Sequence, residues 1–81
     1  MTTERLIWQG QKQEKVLEAK RLETSIEGLR SGIRTELNPH APISEINHDL
    51  LTQQAFEMAD KLILHKKICA EIAAINRSLG I

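Results

Sequence analysis

Both prolines of this 81-residue chain fall in one stretch, Asn38-Pro39-His40-Ala41-Pro42. Proline removes a backbone donor and clashes with the preceding turn, so a helix on either side must stop there. The two flanking segments are rich in Leu, Ile, Ala, Glu, Gln, Lys and Arg, with a single Val and no Tyr. That content favours helix over strand. Spacing and breakers together predict a helix over about 3–37, a turn at 38–43 and a second helix over about 44–79. A short connection forces the two to run antiparallel. The expected fold is all-α: one αα-hairpin domain over residues 1–81, associating into a four-helix bundle.

The first segment carries an apolar stripe at Leu22, Ile26, Leu29 and Ile33, with steps of three and four that follow the helical period. It extends back through Ala19 and Val16, then meets a polar gap from Gly10 to Lys15. Residues 1–10, with their apolar island Leu6-Ile7-Trp8, read as a frayed or separately docked start. The stripe carries the helix past Gly28 and Gly32 to Leu37. In the second segment Leu51, Ala55, Met58, Leu62, His65, Cys69, Ile72, Asn76 and Leu79 form a heptad-like seam. Ser44 is the expected N-cap, and Gly80 the glycine that ends the helix. Of these, Leu51, Met58, Leu62, Cys69 and Ile72 are assigned to the hairpin core with Leu22, Ile26, Leu29 and Ile33. Asn76 is a polar seam residue that can fix register.

The second segment has more apolar surface than one partner helix can cover. Leu64, Ile68 and Ile75 run beside the seam, and Phe56, Ile63, Ala70 and Ala74 widen the patch. A lone hairpin of this length has a marginal core. Phe56, Ile63, Leu64, Ile68 and Ile75 are therefore assigned to a partner face, and Ile68→Glu is expected to release a monomer. The partner is a second copy, as a homodimer, or another helical protein.

Eleven Lys+Arg balance eleven Asp+Glu. The charges of the first segment interleave as on a solvated helix face, so nucleic acid is disfavoured as a partner. One Cys excludes an intramolecular disulfide framework. No apolar run exceeds four residues, far short of the ~20 that span a bilayer. The start, Met-Thr-Thr-Glu-Arg, lacks a secretory pattern, so a cytoplasmic protein away from membranes is expected. Glu45-Ile46-Asn47-His48 has the Glu-x-x-His spacing of di-iron bundles, with Glu36 as the added carboxylate. Its place at the hairpin tip assigns these residues to a solvated first turn, and no metal or cofactor is expected. His65 and Cys69 pair at i,i+4 and read as seam residues. No nucleophile set or phosphate loop is present in the pattern, so a non-enzymatic module without a small-molecule substrate is expected.

The Pro39-His40-Ala41-Pro42 turn resembles the P-x-x-P turn of type III secretion needle subunits, which are two-helix chains of similar size. That resemblance implies a secretion-apparatus subunit, or a related co-chaperone hairpin, as the alternative to a general assembly, adaptor or inhibitory module. The third reading is a phage or mobile-element accessory protein with weak nucleic-acid binding.

Overall fold

A computed structural model describes residues 2–80 of the chain. Helix α1 spans Thr2–Glu36 and helix α2 spans His48–Leu79. They pack along their lengths as an all-α hairpin, a rod measuring 63 × 15 × 15 Å. Paired side chains set the register. Arg5 reaches the carbonyl of Leu79, Lys15 meets Glu71, Glu23 meets His65, and Glu36 meets Asn47. These contacts run in order from the open end to the turn, as an antiparallel pair requires.

The turn is tighter at its start and longer at its end than the prolines alone indicate. Asn38 Oδ1 accepts from the His40 amide at 3.0 Å and its carbonyl accepts from the Ala41 amide at 3.1 Å. Asparagine thus shapes the turn through its own side chain. Past Pro42, residues Ile43–Glu45 form one 3₁₀ turn, and Ile46 and Asn47 return to extended backbone. This corrects the expected start of the second helix near residue 44. The N-cap is Asn47 rather than Ser44: its side chain accepts from the Leu50 amide at 3.0 Å. Glu36 Oε1 in turn accepts from the Asn47 amide at 2.6 Å, so the last residue of α1 braces the first turn of α2. At the far end Gly80 takes φ +75°, with its amide donating to Arg77 and Asn76 carbonyls, the expected left-handed stop. Met1 and Ile81 lie outside the described residues.

Helix α1 is continuous through residues 2–10, in contrast to a frayed or separately docked start. Leu6, Ile7 and Trp8 remain exposed along it and do not fold back over α2. The polar gap from Gly10 to Lys15 costs packing on one face without interrupting the hydrogen-bond ladder, since Gln, Lys and Glu are good helix formers.

Between the helices the buried apolar side chains are Ala19, Ile26, Ile68, Ile75 and Leu79. Leu22, Leu29, Ile33, Leu51, Met58 and Ile72 are half-buried around them, as expected of the hairpin core. The second row of the α2 seam differs from expectation. The line Leu51, Met58, His65, Ile72, Leu79 faces α1, but the row beside it lies three residues on: Gln54, Lys61, Ile68, Ile75. The expected row lay four residues on, at Ala55, Leu62, Cys69 and Asn76. Ile68 is 4% exposed and Ile75 is likewise core, which removes both from the outward face. Leu62, 46% exposed, and Cys69, also exposed, are correspondingly outside the core. In the turn-proximal half the inner row is polar and Leu62 looks the better candidate. In the distal half Ile68 and Ile75 outweigh Cys69 and Asn76, because each isoleucine buries more apolar area. Lys61 takes the seam position half-buried, a place its aliphatic stem can fill while the ammonium reaches water.

Candidate interaction surface

The face of α2 turned away from α1 carries the two most exposed large apolar side chains of that helix. Phe56 and Ile63 are each 69% exposed. Phe56, Ile63 and Ala70 recur every seven residues, with Ala59 and Ala73 each three residues past one of them and Lys66 breaking the row between Ile63 and Ala70; all are exposed. This spacing is that of an interhelical seam, and here it faces solvent. Leu64, assigned with them to a partner face, is exposed on the flank of the row. Phe56, Ile63 and Leu64 thus stay together on the outside, whereas Ile68 and Ile75 belong to the hairpin core. Leu62, freed from the core, lies on the opposite flank.

The charges along α2 are unevenly placed. Its first half is net acidic, with Asp49, Glu57 and Asp60 against Lys61, and its second net basic, with Lys66, Lys67 and Arg77 against Glu71. Glu71, the acidic residue of the second half, is engaged by Lys15 of α1 at 2.6 Å. On α1, Arg30 is paired with Glu27 at 3.1 Å. Acid and base interleave along that helix, so its outer face presents no uniform positive field.

The polar cluster at mid-seam was only partly legible. His65 Nε2–H donates to Glu23 Oε1 at 3.1 Å, a contact across the helices that the i,i+4 pairing of His65 and Cys69 does not foreshadow. Cys69 Sγ lies 3.8 Å from His65 Nδ1 and 3.9 Å from Nε2. The sulfur is thus nearly equidistant from the two ring nitrogens and is directed at neither. A hydrolytic relay needs a nucleophile aligned with its base beside an oxyanion donor. Of the cluster's contacts, His65–Glu23 is the one that ties α2 to α1.

The Glu45–His48 spacing loses its premise. Glu45 belongs to the 3₁₀ turn, His48 opens α2, and the extended backbone at Ile46 and Asn47 separates them. They share no helical face. His48 is drawn to Asp49 at 3.4 Å and Glu36 is committed to the Asn47 amide. Among the described residues no group of three His, Cys, Asp or Glu side chains is placed to hold a metal ion. No helix among them is long and apolar enough to cross a membrane.

The concavities beside the helix junction are open grooves, one at the turn around Arg34, Leu37 and Pro39 and one near Val16, Leu17 and Leu79. Gly32 lies against the Gln54 side chain, and a Cβ there would stand 2.6 Å from Gln54 Nε2. Gln54 Oε1 and Asn76 Oδ1 are buried without a hydrogen-bond partner, one near each end of α2. Comparison with protein families, curated proteins and solved structures finds no match to this chain.

Proposed function

We propose that this chain is a non-enzymatic protein–protein interaction module that works as a homodimer through the outward face of α2. The observation that supports this reading is the exposed heptad-spaced row led by Phe56 and Ile63, on a hairpin whose buried core is small. Two helices offer two layers, and covering a second row on α2 requires another helix. A second copy provides one, giving four helices around two connected seams. An assembly, adaptor or inhibitory role follows from such a surface, with the dimer as the working unit in the cytoplasm.

The test is the mass of the protein in solution by light scattering and sedimentation. The expected result is a discrete dimer that Ile63→Glu converts to a helical monomer. Ile68→Glu is the wrong probe for this face: Ile68 is buried between α1 and α2, so that variant unfolds the hairpin itself. A wild-type monomer, or a dimer indifferent to Ile63→Glu, overturns the reading. Filaments at high concentration would replace it with the needle-subunit reading, and salt-sensitive DNA binding with the accessory-protein reading.

A further inference from the structure

We propose that two copies of this chain pair their α2 helices antiparallel about a two-fold axis at Ile63, with Asp60 of each copy facing Lys67 of the other. The inference rests on the self-association reading and adds orientation, register and the charges that select them. Phe56, Ile63 and Ala70 recur every seven residues on the exposed side of α2. They therefore lie in one row, drifting only about 20° per heptad. The row is graded in size, from Phe through Ile to Ala. A parallel pair would set Phe56 on Phe56 and Ala70 on Ala70, crowding one end and leaving a gap at the other. Interfaces packed like protein interiors tolerate neither. An antiparallel pair centred on Ile63 lays Phe56 of one copy over Ala70 and Ala74 of the second, and large meets small at both ends.

The charges choose the same centre. Asp60 and Lys67 are also seven residues apart and so share one flank of the row. A two-fold axis perpendicular to antiparallel helices brings each flank against the same flank of the second copy. Residues equidistant from the axis then meet, and Asp60 and Lys67 lie almost symmetrically either side of Ile63. The pairing occurs twice in the dimer. Among the described residues neither side chain is held in a salt bridge within its own chain. The wider pattern agrees: the net-acidic first half of α2 lies along the net-basic second half of its mate, whereas a parallel arrangement sets halves of like net charge together.

The experiment is sedimentation equilibrium at low salt on the wild type, Asp60→Lys, Lys67→Asp, the double swap, and an equimolar mixture of the two single variants. Both positions are exposed, and circular dichroism checks that helicity is retained. Each single variant replaces two attractive contacts with two repulsive ones, and the dimer is expected to weaken about tenfold. The double swap restores the pairing with charges exchanged. The mixture forms a heterodimer of wild-type strength, because every contact in it is again opposite in sign. About 1 M salt, with a screening length near 3 Å, erases the differences. A wild-type dimer whose single variants are unweakened, or whose double swap is no stronger than the singles, overturns the antiparallel register and leaves self-association standing. A wild type that stays monomeric at about 1 mM overturns both.

Discussion

Lys15 Nζ lies 2.6 Å from Glu71 Oε2, the shortest ion pair joining α1 to α2 among the described residues. The hydrogen bond to Glu71 raises the Lys15 amine above its ordinary value of 10.5, and the same bond holds the Glu71 carboxyl below its ordinary 4.5. The Glu71 contribution is therefore complete above pH 4.5 and is lost as pH falls through the lowered folded value. The Lys15 contribution is complete below pH 10.5 and is lost as pH rises through the raised folded value. Lys15→Met should melt at lower temperature than wild type near neutrality, with the gap closing at both extremes. Thermal unfolding across the pH range reads this out, and added salt should narrow the gap. A gap constant with pH would mean that the pair contributes nothing beyond packing of the lysine stem.

The rotated seam makes a contrast between neighbours on one helix. Ile68→Ala should destabilise by about 2–4 kcal/mol, as expected for truncating a buried isoleucine. Cys69→Ser, one residue on and exposed, should stay within about 0.5 kcal/mol of wild type. Urea unfolding of the two variants checks the assignment, and it fails if Cys69→Ser is the more damaging.

Two glycines should respond with opposite signs to the same substitution. Gly28 sits inside α1, and a Cβ added there would meet no atom within 4 Å, so Gly28→Ala should stabilise by about 1 kcal/mol. Gly80 holds φ +75°, where a side chain is strained, so Gly80→Ala should destabilise by about 1 kcal/mol. Paired thermal melts give both signs in one experiment.

The brace at the turn is testable by removing either half. Asn47→Ala deletes the cap on the Leu50 amide and should cost about 1 kcal/mol. Glu36→Gln keeps an acceptor near the Asn47 amide without its charge and should cost less. A Glu36→Gln loss as large as that of Glu36→Ala would show that the carboxylate charge carries the contact. Amide exchange at Leu50 and Asn47 reports each half separately.

The hairpin was legible because proline chemistry and the helical period both act locally. Pro39 and Pro42 mark the break, and Leu22, Ile26, Leu29 and Ile33 show the buried stripe of α1 without help from the rest of the chain. The α2 seam was less so. Around the line from Leu51 to Leu79, rows lie on both sides, one broken by Gln54 and Lys61 and the other by Asn76. Which row faces α1 is a rotation of the whole helix, decided by the sum of its contacts. Ile68 and Ile75 win that sum although Gln54 and Lys61 must come inward with them. The cap at Asn47 was hidden for another reason: Ser44 is an equally good capping residue, and the 3₁₀ turn that displaces the helix start depends on the conformation between Pro42 and Ile46. Glu23–His65 and Lys15–Glu71 join residues far apart in the chain, so they became visible only once the register was fixed.

The pairing of α1 with α2 also orders events in time. Glu36 and Asn47 are eleven residues apart in the chain, and Arg5 and Leu79 are seventy-four apart. Closing the longer loop first would cost about 2 kcal/mol more in chain entropy than closing the shorter one. Contacts therefore propagate from the turn outward, each closure shortening the search for the next. The end bearing Leu6, Ile7 and Trp8 is the last to zip and the first to part, leaving three large apolar side chains on the segment that opens most often.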